Sequence, residues 1–238
     1  MAQNEESGSY PLIVMGESGA GKSSSLRNLD PATTYIIDSD NKGLPWRGWR
    51  KQWIPGKNYL ATSEYQRVVR GIQHIDKNMP HIKVLVIDTV SAILTNLEMA
   101  KAMELGHQKW TLFAKTAWDI VTSGLKVRSD LHVVYFFHSE TTEVGEGVIT
   151  RIRVSGKKLN TLTLESTVPI VLLAANSRDK EGAEYFFYTG SYYSTAKAPV
   201  GMLDSYKIPN DLQKVIEAID KFENDDSVKD DEWVETLR

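Results

Sequence analysis

Residues 16–23 read Gly-Glu-Ser-Gly-Ala-Gly-Lys-Ser, and no other part of the chain restricts the fold as tightly. The string follows the apolar run Leu12-Ile13-Val14-Met15 and precedes a stretch suited to a helix. Glycines at these spacings let successive backbone N–H groups curl around an anion. The lysine brings a cation to the β/γ-phosphates, and the serine hydroxyl suits Mg²⁺. A nucleoside triphosphate with its metal is therefore expected at a strand-to-helix turn, held by Gly16, Glu17, Ser18, Gly19, Ala20, Gly21, Lys22, Ser23 and Ser24.

The 238 residues, 41% hydrophobic and 25% charged, suffice for one full core, taken as residues 10–222. A net charge of −3 argues against a generally basic nucleic-acid coat, so any contact with DNA or RNA must come from a local patch. The absence of cysteine removes disulfides, thiolate zinc sites and cysteine nucleophiles. Neither an export signal nor a membrane span is expected, and the protein reads as cytoplasmic. Residues 1–9 are expected to be a flexible start. Residues 223–238, with seven acids against Lys229 and Arg238, are expected to be a mobile acidic tail.

Apolar bursts alternate with helical stretches, the pattern of an α/β protein with a mostly parallel central sheet flanked by helices. Strands are predicted at residues 11–15, 34–38, 83–88, 132–138 and 168–175. A capping box at Ser63 and Gln66 opens a helix with Tyr65, Val68, Val69, Ile72 and Ile75 on one face. One long helix or two consecutive ones span residues 94–127, with Trp110, Phe113, Ala114, Ala117, Trp118 and Val121 at helical spacing. Residues 148–154 and 159–165, joined at Ser155-Gly156, are predicted to form an antiparallel hairpin off the main sheet. A further strand at 185–188 and a final helix over about residues 210–222, with Phe222 inward, complete the chain.

The strand Val84-Leu85-Val86-Ile87-Asp88 delivers a carboxylate where Mg²⁺ is expected, beside Ser23. Capping of the following helix is the alternative role for Asp88. Many related nucleotidases place a glutamate directly after this aspartate, but the position here is Thr89, so the acid that orients water must come from elsewhere. Asp38 and Asp40 alternate in register and are expected to point the same way at the carboxyl edge, with Asp40 the candidate base; two acids capping a solvated turn are the alternative. His138 ends the fourth strand at that edge, suited to sense the γ-phosphate and report to the segment that follows, or else simply to sit in solvent.

These features, with the His138-Ser139-Glu140 triplet, residues 195–201 (TAKAPVG) and Ile208-Pro209-Asn210-Asp211-Leu212, resemble the phage-encoded RecA-like ATPases of the Sak group. Those are minimal RecA/KaiC-type cores associated with single-strand annealing and homologous recombination. The resemblance spans about residues 10–222 and implies a RecA-like P-loop core with ATP and Mg²⁺ as ligands. It places Asp40 at the catalytic glutamate and His138 at the γ-phosphate-sensing residue; Asp for Glu shortens the reach by one methylene. It implies sites at interfaces of a homo-oligomer, ring or filament, completed by a neighbour's lysine or arginine, with Lys157, Lys158 and Lys197 as candidates. Only residues 1–10 precede the first strand, so the separate polymerisation segment of full-length recombinases is expected to be missing.

Two segments suit single-stranded DNA. Residues 41–60 hold Lys42, Arg47, Arg50, Lys51 and Lys57, no acid, and the interleaved Trp46, Trp49 and Trp53. The hairpin supplies Arg151 and Arg153 with Lys157 and Lys158, where the resemblance puts DNA contacts. The tryptophans have an alternative role in pinning this insertion to the core or flanking the base. The expected function is ATP-dependent single-strand binding and annealing or pairing, with a single-strand-binding protein as a further partner. The rivals are a protein-partnered regulatory or helicase-loading switch, a small-molecule kinase, and a non-catalytic nucleotide sensor.

Overall fold

The computed structural model describes residues 9–103, 108–154, 163–178, 182–190 and 193–224. Strands β1 (Leu12–Gly16), β2 (Thr34–Asp38), β3 (Tyr59–Ala61), β4 (Val84–Asp88), β5 (His132–Val144), β6 (Gly147–Ile152), β7 (Ile170–Arg178), β8 (Ala183–Tyr188) and β9 (Lys207–Pro209) form one sheet. Its order is β3-β2-β4-β5-β1-β7-β8-β9, with β6 paired to β5. From β3 to β7 all neighbours run parallel; β8 and β9 add antiparallel strands at one edge. This is the α/β core, with a mostly parallel central sheet and a C-terminal antiparallel extension, that the sequence predicts.

Alternation along the strands feeds two cores. Ile13 and Met15 of β1 face α1 (Tyr65–Asn78), α2 (Val90–Ala100) and α3 (Gln108–Ser123), whereas Leu12 and Val14 face α4 (Leu212–Glu223) and the 41–60 insertion. Both faces of the central strands are therefore covered, which is why they read as continuous apolar runs.

Several expectations are corrected. The helix after the glycine-rich turn is a six-residue 3₁₀ segment, Ser23–Asn28. Three serines in a row compete for local backbone, as when the Ser25 hydroxyl donates to the Lys22 carbonyl at 2.6 Å, and Pro31 follows soon after. Of the two readings of residues 94–127, the one with two consecutive helices holds, as α2 and α3, with α2 starting earlier, at Val90; Thr89 caps α2 by accepting from the Ala92 N–H. Phe113, Ala114, Ala117 and Val121 are buried, but Trp118 is 38% exposed and lies off the packed stripe. No Ser63 capping box forms: Glu64 is the N-cap of α1, and the Thr62 hydroxyl accepts from its N–H.

The hairpin also differs. β5 runs unbroken through His138 to Val144, turns at Gly145-Glu146 and pairs with β6, Ser139 opposite Ile152. Among the described residues β5 is the partner of β6; most of the predicted second strand, residues 159–162, lies outside the described residues, and Leu164–Thr167 is a 3₁₀ turn. Helix α4 starts at Leu212 behind its Asp211 cap, and Phe222 faces outward. Ser9 is not part of a loose start: it is buried, and its hydroxyl donates to the Leu131 carbonyl at 2.5 Å. The rest of that start and the tail from residue 225 lie outside the described residues.

Candidate nucleotide site

The sheet order places β5 between β1 and β4, so the turn after β1, the end of β4 and His138 of β5 meet at one edge. They enclose a cleft of about 390 Å³ lined by Gly21, Lys22, Ser23, Asp38, Asp40 and Asp88, among others. Gly19 and Gly21 adopt φ of +83° and +95°, the left-handed region that glycine enters without strain. Lys22 is only 6% exposed, and its ammonium donates to the carbonyls of Gly16 at 2.6 Å and Glu17 at 2.9 Å. Burial lowers its pKa to about 8, opposed by the nearby Asp88 and Asp40 carboxylates. The lysine is thus held at the turn by weak backbone acceptors that a phosphate oxygen outcompetes.

The Ser23 hydroxyl donates to Asp88 Oδ2 at 2.5 Å. This is a fitting pair for Mg²⁺, which favours one or two protein oxygens and completes its shell with phosphates and water. Among the described residues there is no cluster of three or more His, Cys, Asp or Glu that would hold a metal without a nucleotide. Burial pushes the Asp88 carboxyl up to about 6, reinforced by Asp38 and Asp40 and opposed by the Ser23 hydroxyl and Lys22. Bound Mg²⁺ supplies the charge that favours the ionised form. Because Thr89 caps α2, Asp88 is left free of that role; the Asp88–Thr89 peptide bond is cis.

Asp38 and Asp40 both line the cleft but are held differently. Asp38 Oδ2 accepts from the Gly43 N–H at 2.8 Å and the Tyr59 hydroxyl at 2.5 Å, and burial and this carboxylate raise the Tyr59 pKa. Asp38 therefore braces the insertion against β2. Asp40, one bend beyond the strand, is partnered only by the exposed Lys42 at 3.0 Å among the contacts described. Its carboxylate is the one with freedom to orient a water.

His138 stands opposite Gly16 in the β1–β5 register and lines the same cleft. Burial, then the charge of Lys22, lowers its pKa, so at neutral pH it is an uncharged hydrogen-bonding group. The His138 backbone N–H donates to Ser91 Oγ at 2.9 Å, and its backbone carbonyl accepts from the Arg153 backbone N–H at 2.7 Å. The strand that lines the cleft is therefore bonded directly to the exit of the hairpin.

The basic positions are dispersed. Arg47, Arg50, Lys51 and Lys57 are exposed, while Lys42 is paired with Asp40. The tryptophans do not form an open stacking surface: Trp53 is 1% exposed in the core, and Trp46 and Trp49 pack against it. Trp49 lies 5.3 Å from the Tyr59 ring and under the Arg50 guanidinium. On the hairpin, Arg151 pairs with Glu140 at 3.2 Å and Arg153 is exposed. Lys197 bridges by its backbone to Val171, away from the cleft, and Lys157 and Lys158 lie outside the described residues.

Sequence reasoning missed Tyr185, which reaches the cleft from β8, and the role of Gly43-Leu44-Pro45 as a cleft wall. The second had a signal, since these residues follow Asp40 directly. Tyr185 had none, because its approach depends on antiparallel pairing of β7 and β8.

Fold and cleft together define a P-loop ATPase. The chain belongs to the AAA domain family, whose model matches residues 9–199. No curated protein matches it in sequence. Among solved structures it is similar to a KaiC-like protein from the hyperthermophilic archaeon Pyrococcus horikoshii, with 12% identity over 76% of this chain and 78% of that one and a TM-score of 0.46. It is also similar to the flagellar accessory protein FlaH from Methanocaldococcus jannaschii, with 10% identity over 84% of each chain and a TM-score of 0.44. Among the described residues no helix is long and apolar enough to cross a membrane.

Proposed function

We propose that this ATPase binds single-stranded DNA and promotes annealing or strand pairing, as a homo-oligomeric recombination protein of the phage type. One observation carries the reading: the acid-free cationic insertion is itself a wall of the nucleotide cleft, with Gly43, Leu44 and Pro45 inside and Arg47, Arg50 and Lys51 facing water. A change at the phosphates reaches that wall through Asp38 and Gly43, which are hydrogen-bonded. Since the tryptophans are packed inward, the contacts are to phosphates rather than to stacked bases, so binding should be insensitive to sequence and steep in salt. In this reading Lys22, Ser23 and Asp88 hold Mg²⁺-ATP, Asp40 orients water, and His138 senses the γ-phosphate.

The test is anisotropy of a labelled oligonucleotide with ATP, ADP, a slowly hydrolysed analogue or no nucleotide, over a salt series. Affinity that changes with nucleotide and falls with salt is expected. No binding at low salt with any nucleotide overturns the reading. A second reading, a switch that grips a protein, is favoured by the hairpin, where Glu140, Glu143 and Glu146 outnumber Arg151 and Arg153 and Val144 and Val148 are exposed. Turnover stimulated by a protein and not by DNA would select it.

A further inference from the structure

The sheet ends at β3, and between that edge and α1 lies a groove of about 420 Å³ to which ATP hydrolysis gives no role. Its floor is apolar, made by Tyr35 and Ile37 of β2, Leu60 of β3 and Met79 just past α1. Its rim is cationic: Arg67, Arg70 and His74, exposed, follow one another at helical spacing along α1. Among the described residues Arg67 makes no ion pair, and Arg70 has only Glu64 at 3.8 Å, with both side chains more than half exposed.

Gly71 keeps the groove open. Glycine inside a helix lowers its stability relative to alanine, yet a Cβ here would meet only Ile37 Cδ1, at 3.4 Å. Packing therefore does not demand the glycine, and its missing side chain leaves the floor accessible. An apolar trough bordered by guanidinium groups suits a peptide that carries an aromatic side chain between carboxylates.

Among the segments outside the described residues, 225–238 alone combines the two: Trp233-Val234 stands between Asp230-Asp231-Glu232 and Glu235. The reach also fits. Thr34, Val84 and His132 are level across β2, β4 and β5, so the start of β2 lies about 10 Å from His132. His132 Nε2 is 2.8 Å from Asp220 Oδ1, which puts the end of α4 at this same amino edge. From Asn224 to Trp233 the chain can span about 30 Å, enough to round the edge from the α4 face to the α1 face.

We propose that residues 225–238 dock in this groove of their own chain, with Trp233 and Val234 on the apolar floor and the flanking carboxylates against Arg67 and Arg70. Docked there, the segment also shields the β3 edge of the sheet from pairing with other chains.

Fluorine NMR of the full chain labelled with 5-fluorotryptophan tests it. Loss of one resonance in Trp233→Phe assigns the indole, and a synthetic peptide of residues 223–238 gives its undocked position. The native Trp233 resonance should be displaced from that position. Arg67→Ala combined with Arg70→Ala, or Gly71→Leu, which fills the groove with a better helix former, should return it there and leave the other tryptophan resonances in place. The fluorescein-labelled peptide gives a second readout: it should bind full-length Trp233→Ala at least about tenfold more tightly than the native chain, whose own tail competes at a roughly millimolar effective concentration. A native resonance at the peptide's position overturns the proposal, as does a displaced one that the groove variants leave unmoved. Displacement that grows with protein concentration overturns the assignment to the same chain and places the tail on a second copy. Equal peptide affinity for the native chain and Trp233→Ala overturns it too, leaving the groove to an acidic segment of a partner.

Discussion

At the carboxyl edge of the sheet Lys22, Asp38 and Asp88 are buried and each is hydrogen-bonded inside the cleft, whereas Arg47, Arg50 and Lys51, on the outer side of the same wall, face water. Trp53, from the same insertion, is buried in the core with Leu44 and Tyr59. The inner set works by preorganisation: groups are held where charge must be stabilised, and each loss is felt in chemistry. The outer set works by summed charge, and each loss is small and salt-dependent. The difference teaches that one short insertion, anchored by its own buried aromatic core, links two kinds of electrostatics.

The largest expected effect falls on the inner set. Lys22→Ala should lower ATP turnover by at least about 10³-fold, since a preorganised charge on the transferring phosphate is lost. Its melting temperature should remain near that of the native chain, because the Gly16 and Glu17 carbonyls then face the water-accessible cleft. Residual turnover above a tenth of native would break the assignment of this loop as the catalytic one.

Next comes the buried anchor of the insertion. Trp53→Ala should destabilise the fold by about 3–5 kcal/mol in a denaturant titration, the range for deleting a buried aromatic side chain. Replacing Arg47, Arg50 and Lys51 together by alanine should leave stability within about 1 kcal/mol but flatten the salt dependence of oligonucleotide binding. If the triple variant unfolds instead, the outer set is structural and the contrast fails.

The two aspartates at the end of β2 and just beyond it, Asp38 and Asp40, sharpen the inner set itself. Asp40→Asn should reduce kcat by about 10²–10³-fold with ATP affinity kept, the loss expected for a water-orienting carboxylate. Asp38→Asn should instead show as a stability loss of about 1–2 kcal/mol, because its partners are the Gly43 N–H and the Tyr59 hydroxyl. A reversal of the two outcomes would move the base to Asp38.

How far all this was legible follows from how local each signal is. The loop from Gly16 to Ser24 and the strand ending at Asp88 are contiguous, and their apolar runs mark buried parallel strands, so sheet and phosphate site could be read directly. The extension of β5 could not. Ser139 to Glu143 are all polar and resemble a loop, yet they pair residue for residue with β6, helped by a Thr141–Thr150 hydroxyl contact at 2.9 Å. Trp53 illustrates another limit: rings among cations look like a stacking platform until tertiary packing turns them inward. Tyr185 and Asn210 are distant from Gly21 in sequence and meet it only because β8 folds back along β7.

The smallest effect reverses the usual sign of a mutation. Asp88 is buried beside Asp38 and Asp40, and its pKa stands at about 6 against an ordinary 3.8. A carboxyl that is harder to ionise when folded opposes folding wherever it is charged: the penalty is absent below about pH 4, grows between 4 and 6, and is fully present above. Asp88→Asn should therefore stabilise the nucleotide-free chain by about 1–2 kcal/mol at pH 8, discounted for the kept Ser23 contact, with the gain vanishing by pH 4. The same variant should lose turnover, and Mg²⁺-ATP should raise its melting temperature less than that of the native chain, because the metal favours the ionised aspartate. A variant less stable than native at pH 8 would show that the Asp88–Ser23 bond outweighs the repulsion. The inner set would then be a fold-supporting network rather than charge held ready for metal and phosphate.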